Sequence, residues 1–216
     1  MLSTLAPWLL IAFGSYILGS IPFGFLAGRI CGVDIRTKGS GNIGATNVLR
    51  VLGKKWGYAV FFLDFLKALL PVLFALAWGR SIAVNPSSSP GALAAICTLL
   101  GHSFPVWLGF KGGKGIASSA GVIVGLFGIG AFLFCLGSWL LFFSVTRYVS
   151  VASIAASIAV PLSVSFLCFM HRSDWLTLLV AYLMCTLAIW RHRANITRLR
   201  AGTEPRFERQ PKVQRK

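Results

Sequence analysis

The sequence predicts an all-α polytopic integral membrane protein of seven transmembrane helices, with the N-terminus outside and the C-terminus in the cytoplasm. Three observations predict it. The 216 residues are 56% hydrophobic and only 12% charged, with a mean hydropathy of +0.77, too apolar for a soluble domain. The apolar residues come in long uncharged runs of the length a helix needs to cross a bilayer. The cations, which bring the net charge to +16, mostly flank those runs. They therefore report topology and attraction to anionic lipid and phosphorylated substrates, and nucleic acid is not an expected partner.

The first run, Thr4 to Gly28, is uncharged. It lacks a basic start and is too long for the apolar stretch of a signal peptide, so it is expected to remain as a spanning helix. The second, Trp56 to Gly79, also spans and contains Asp64 and Lys67. These two, three residues apart, are costly in lipid unless they face protein and pair, and read as a structural ion pair. Between the runs lie Arg29, Arg36, Lys38, Arg50, Lys54 and Lys55, with no side-chain cation before Thr4, which places this loop in the cytoplasm. Arg80 to Pro90 then lies outside, and Gly91 to Phe110 returns inward.

Ile116 to Thr146 is uncharged for 31 residues, about 46 Å as one helix against a hydrocarbon core of about 30 Å. A single crossing would leave the basic residues after Trp190 outside, against the positive-inside tendency. A turn near Gly137-Ser138 and two crossings are therefore expected. Val149 to Met170 goes out, His171 to Asp174 turns, and Trp175 to Trp190 comes back. Of 21 Lys and Arg, all but Lys67, Arg80 and Arg172 then fall on the cytoplasmic side. Residues 1–204 form one transmembrane domain and 205–216 a basic disordered tail. The small residues of Ala152 to Ala159 suit close helix packing. Cys31, Cys97, Cys135, Cys168 and Cys185, odd in number and without a C-x-x-C pair, read as packing residues.

Four polar clusters arrive on the cytoplasmic face. In Lys38-Gly-Ser-Gly-Asn-Ile-Gly-Ala-Thr-Asn-Val-Leu-Arg50, Gly39, Gly41 and Gly44 let successive N–H groups converge on an anion. Ser40, Thr46 and Asn47 add side-chain donors, Lys38 and Arg50 add charge, and a helix N-terminus is expected near Ala45. The three glycines match G-x-G-x-x-G, but the strand and βαβ unit of a dinucleotide site are missing. An ordinary polar turn between two helices would use the same glycines.

In the second cluster, His102 to Lys114, two lysines, Lys111 and Lys114, bracket Gly112 and Gly113 at the start of a helix, again favourable for phosphate. It is not a Walker A loop, since Leu108 and Gly115 stand where that motif needs Gly and Ser or Thr. His102 reads equally as a structural or a catalytic histidine. The third cluster, Ser144 to Arg147, carries Thr146, and Arg147 is either an interfacial anchor or a phosphate clamp. In the fourth, His192 to Glu204, a spacing of three puts His192, Asn195 and Arg198 near one face of a continuing helix. Alternatively, it is a basic stop after the last span.

The histidines and acids show no metal-ligand spacing, and the scarcity of acids argues against two-metal phosphoryl chemistry. Donors and cations without a carboxylate pair suit a reaction whose leaving group is already good. Transfer from an acyl phosphate fits, because the protein need only align two phosphate-bearing substrates and stabilise an oxyanion.

Gly39-Ser-Gly-Asn-Ile-Gly-Ala-Thr-Asn47 with Arg50, Gly101-His-Ser-Phe-Pro105 through Lys111-Gly-Gly-Lys-Gly115, Thr146-Arg-Tyr-Val-Ser150 and the segment His192 to Glu204 closely resemble, in order, the bacterial acyl-phosphate:glycerol-3-phosphate acyltransferases, the PlsY family. The resemblance implies a seven-helix enzyme of the bacterial cytoplasmic membrane that acylates the 1-hydroxyl of glycerol 3-phosphate to give lysophosphatidic acid. It implies an acyl phosphate donor, no metal or other cofactor, and an active site facing the cytoplasm, where a soluble acyl-phosphate-producing enzyme could dock. The implied catalytic set is Ser40, Arg50, Lys114, Arg147, His192 and Asn195. The implied substrate- and phosphate-binding set is Gly41, Asn42, Gly44, Thr46, Asn47, His102, Lys111, Gly112, Gly113, Thr146 and Glu204, to which the cluster reading adds Lys38 and Ser144. Thr146 departs from the serine of similar sequences but keeps a hydroxyl. The proton acceptor is either His192 or an oxygen of the acyl phosphate. A transporter for a phosphorylated small molecule is the alternative, disfavoured because the polar clusters gather at one interface and no repeat is visible.

Overall fold

The computed structural model describes residues 2–207 of the chain, with side chains from residue 5 onward. Every regular element among them is helical. In chain order they are α1 (Leu2–Ser20), α2 (Phe23–Ile30), α3 (Ala45–Leu52), α4 (Lys54–Ser81), α5 (Ser89–Ser103), α6 (Ile116–Val122, continued by a π-helical turn Ile123–Phe127), α7 (Gly128–Thr146), α8 (Val149–Phe169), α9 (Trp175–Arg191) and α10 (Arg193–Arg200). Five helical stretches are long and apolar enough to cross a membrane, and a sixth if α9 and α10, bent by 52°, count as one.

The apolar residues are sorted as a bilayer demands. Large side chains face outward, with Leu10 72%, Phe74 71% and Phe169 79% exposed, while alanines such as Ala68, Ala75, Ala94, Ala95 and Ala152 recur through the core among valines such as Val72, Val164 and Val180. Lipid solvates a leucine as well as protein does, so close backbone approach drives association instead. At the crossing of α1 and α5 two glycines make this possible. A Cβ on Gly19 would stand 2.3 Å from the Thr98 carbonyl oxygen, and one on Gly101 2.3 Å from that of Tyr16. The small-residue stretch of α8 likewise buries Ala152, Ser153, Ser157 and Ala159.

Asp64 and Lys67 do pair, at 2.7 Å between Lys67 Nζ and Asp64 Oδ1, with side chains 3% and 4% exposed. Lys67 also donates to the carbonyl of Ile21, at 2.7 Å, where Pro22 interrupts the apolar stretch shared by α1 and α2.

The 31-residue run reverses, but not at the expected place. α7 passes through Gly137 and Ser138 without a break, and the break falls at Phe127–Gly128, where Gly128 takes φ +87° and ψ 173°. Leu126 lies beside Gly91, at the start of α5. Ile116 and Ala117, at the other end of α6, share a cavity with Trp139 and Ser150. A straight helix would hold Ala117 and Trp139 about 33 Å apart. Gly128 supplies the left-handed φ that an L side chain resists, whereas Gly137 only lightens a regular helix.

At the end of the bundle away from that cavity, Ser88 Oγ donates to Asp174 Oδ2, and Asp174 Oδ1 caps α9 by accepting from the Thr177 N–H at 2.9 Å. The two loops expected to share the outer side therefore meet. Of the tail expected from residue 205, Phe207 donates its N–H to the Arg147 carbonyl at 2.9 Å, and Arg206 Nε donates to that of Thr146 at 3.3 Å. The remainder, 208–216, lies outside the described residues.

Candidate active site

Three of the four clusters converge on one cavity of about 270 Å³, and the Ser144 to Arg147 cluster does not. The first wall is the 38–50 segment, and its centre is Asn47. Asn47 is 2% exposed. Its Oδ1 accepts from the Ser40 N–H at 2.8 Å, and its Nδ2 donates to the carbonyls of Ile35, Lys38 and Asn42 at 3.3, 3.1 and 2.9 Å. Its amide thus ties the loop together. Gly39, at φ +58°, is required for this, since a Cβ there would lie 2.3 Å from Asn47 Oδ1. Asn42 Oδ1 accepts from the Gly44 N–H at 2.8 Å, and α3 begins as expected at Ala45. The first-turn N–H groups of Ala45 and Thr46 have no intrahelical acceptor and border the cavity beside Ser40 and Arg50.

The second wall is the 112–116 turn. The N–H groups of Gly112 and Gly113 are taken by the carbonyls of Ser103 and His102, at 3.2 and 3.1 Å, and their own carbonyls accept from Arg191 at 2.6 and 3.0 Å. The glycine pair is thus a seat for Arg191 and His102 and not itself the anion cradle. Lys114 follows and lines the cavity, where α6 starts as a second helix N-terminus. Burial, helped by Arg198, Arg50 and Arg191 and opposed by Glu204, pushes the Lys114 ammonium down to about 8.

The third wall comes from the break between α9 and α10. The helix does not continue straight through His192, but bends there by 52°. His192, Asn195 and Arg198 nevertheless all line the cavity. His192 is 2% exposed and its Nδ1 lies 2.8 Å from the Ala188 carbonyl. With Nδ1–H donating to that oxygen, Nε2 is left as a proton acceptor. Glu204 Oε1 accepts from Asn195 Nδ2 at 2.6 Å and Oε2 from Arg198 Nε at 2.8 Å. Burial raises the Glu204 carboxyl, but these hydrogen bonds and the Arg198 charge outweigh it and hold the group below its ordinary value. Asn195 Oδ1 is buried with no hydrogen-bond partner among the described residues, and so is available to a hydroxyl donor.

Of the residues singled out in the sequence, Ser40, Asn42, Gly44, Thr46, Asn47, Arg50, His102, Lys114, His192, Asn195 and Glu204 border this cavity. Lys38, Gly41, Lys111, Gly112, Gly113, Ser144, Thr146 and Arg147 do not. Ser144 and Thr146 donate their hydroxyls to Leu141 and Phe142 carbonyls in their own helix. The Arg147 guanidinium lies over the Phe143 ring, 5.3 Å from its centroid. Sequence reading missed Phe61, Trp139, Ser150 and Ser153, which border the cavity too. Trp139 gives no sequence signal, because only the reversal at Gly128 brings it there. Arg198 had one, its spacing from His192 and Asn195.

Helix bundle and cavity together define a polytopic membrane protein with a polar site that can receive anions beside apolar side chains. The chain belongs to the glycerol-3-phosphate acyltransferase family, whose model matches residues 9–202. It is 45% identical over 202 residues to the glycerol-3-phosphate acyltransferase of Prochlorococcus marinus (strain NATL2A), covering 92% of this chain and 98% of that one. With that of Aquifex aeolicus (strain VF5) it shares 46% identity over 193 residues, covering 89% and 95%. Two crystal structures of PlsY, an integral membrane glycerol 3-phosphate acyltransferase, are similar. The glycerol 3-phosphate form has a TM-score of 0.84 at 43% identity, and the lysophosphatidic acid form 0.81 at 42%, each covering 94% of this chain and 96% of the other.

Proposed function

We propose that this protein transfers an acyl chain from acyl phosphate to the 1-hydroxyl of sn-glycerol 3-phosphate, releasing phosphate and lysophosphatidic acid in phospholipid biosynthesis. The observation that carries the reading is the meeting of Arg50, Lys114 and Arg198 with two helix N-termini in one cavity that also holds His192. Family membership and the glycerol 3-phosphate and lysophosphatidic acid forms of the similar PlsY support it. Two phosphate-bearing substrates repel each other, and cations and N–H dipoles in a half-enclosed site offset that repulsion. The hydroxyl oxygen attacks the acyl carbonyl, the new ester C–O bond forms, and the bond to phosphate breaks. The hydroxyl proton passes to His192 Nε2 or to an oxygen of the phosphate. Phe61, Ile116 and Trp139 give the cavity its apolar side, suited to the first carbons of the chain.

The site faces the cytoplasm of the bacterial inner membrane in this reading, and the chain crosses seven times, with α6 and α7 as separate crossings and the N-terminus outside. The supporting features are the basic loops gathered at the cavity end and the junction of Ser88 with Asp174 at the other. The 116–127 arm measures only about 18 Å, and burying Ser118, Gly121, Val122 and Phe127 against protein compensates for its length. The basic cytoplasmic face is suited to anionic lipid and to a soluble enzyme that delivers acyl phosphate.

The test is product formation by the purified protein from labelled glycerol 3-phosphate with palmitoyl phosphate, palmitoyl-CoA or palmitoyl-acyl carrier protein, each with a chelator. Lysophosphatidic acid from palmitoyl phosphate alone is expected. Product from a thioester would overturn the donor assignment, and none from any donor would overturn the reaction.

A further inference from the structure

A cavity that collects phosphates gains nothing from a carboxylate unless that carboxylate holds something else in place. Asp64 nevertheless borders it. Lys67 sits on Asp64 Oδ1 at 2.7 Å but is itself drawn away to the Ile21 carbonyl. The same carboxylate oxygen faces His102 Nδ1 at 3.7 Å, a small adjustment beyond hydrogen-bond length. His102 Nδ1 is buried with no hydrogen-bond partner among the described residues. The other edge of the ring lies against Gly113, where a Cβ would stand 2.2 Å from Nε2. The His102 carbonyl accepts the Gly113 N–H, and the next residue is Lys114. A continuous line of contacts therefore runs from Asp64 through His102 to the turn that presents Lys114. Ser118 Oγ, donating to the Asp64 carbonyl at 3.1 Å, ties the start of α6 to the same helix turn.

We propose that Asp64 is a positioning residue. Paired with Lys67, its carboxylate holds His102 in the Nδ1–H form, and the oriented ring sets the 112–115 turn so that Lys114 meets the substrate phosphate. Lys67 thereby serves the site as well as the fold. The inference rests on the acyltransferase reading for its kinetic readout, and wild-type turnover is the control. An inactive wild type counts against that reading alone.

Asp64→Leu combined with Lys67→Met discriminates a positioning role from a plain ion pair. Replacing a buried pair by apolar residues of similar volume is neutral or stabilising when the pair only packs. The double variant is expected to keep the wild-type melting temperature while kcat falls by about 100-fold, the scale of a misplaced binding group. Wild-type kcat in a double variant of wild-type stability would overturn the proposal. If the variant does not fold, ¹⁵N-histidine NMR of the wild-type protein decides, with the His102 signals assigned by their loss in His102→Gln. A neutral ring protonated on Nδ1 is expected, and one protonated on Nε2 would overturn it.

Discussion

Lys114 shows how a single residue's chemistry depends on what surrounds it. From the sequence it is one of two lysines beside a glycine pair; in the fold it is the one that borders the cavity, while Lys111 is exposed. Burial, with Arg198, Arg50 and Arg191 nearby, lowers it to about 8. A lysine is charged below its pKa and neutral above it, so its hold on a substrate phosphate weakens as the pH rises through about 8. In the free enzyme this predicts a fall in kcat/KM for glycerol 3-phosphate on the alkaline side of that value. Lys114→Arg should remove that limb, because guanidinium does not titrate there. A pH profile of both proteins checks it, and an unchanged limb in the variant would assign the titration elsewhere. Asn47 illustrates the opposite lesson. It was legible as a polar residue in a phosphate loop, yet its amide is consumed by the loop's own backbone. A sequence shows which groups can donate and accept, but not which of them are already satisfied.

At the scale of elements, helix starts and apolar lengths were legible and the breaks were less so. The onset of α3 at Ala45 follows the sequence reading, as does the need for a reversal between 116 and 146. The site of that reversal differs because several glycines compete in the run and only tertiary contacts choose between them. Gly91 admits Leu126 beside it, and α6 ends there. The structure therefore predicts unlike responses at two glycines that both have open space around a would-be Cβ. Gly128→Ala forces a side chain to φ +87° and ψ 173°, a region that only glycine visits freely, and should cost about 1–3 kcal/mol. Gly137→Ala stays within helix α7 and should be neutral or mildly stabilising. Thermal unfolding in detergent compares the two, and equal melting temperatures would contradict a turn at 128. The bend at His192 was likewise hidden, since the spacing of His192, Asn195 and Arg198 looks the same in a straight helix.

On the scale of the whole molecule, charge and apolarity sort the chain into two ends and a lipid-facing wall. The cavity lies at the end where the basic loops meet, and Ser88 joins Asp174 at the other. The proposed orientation predicts that, in a background with the native cysteines replaced, Ser87→Cys reacts with a membrane-impermeant maleimide in intact cells. Lys38→Cys should react only after permeabilisation. The reverse pattern would invert the topology. Glu204 and the residues up to Phe207 also act at this scale, because they bring the segment after α10 back to Asn195, Arg198 and the junction of α7 with α8.

The sequence by itself determined the class, the run lengths and the families of polar residues, because hydrophobic length, charge placement and glycine-rich motifs are local properties that survive without neighbours. It carried enough motif content, in order, to point to the acyltransferase family. Only the tertiary structure decided which donors remain free, where the long run turns back, and that Trp139, Asp64 and Arg198 share one cavity with Lys114. Those are questions of partnership. A hydrogen bond, an ion pair or a wall of a cavity exists only between groups that packing brings together, and the spacing along the chain does not encode that meeting.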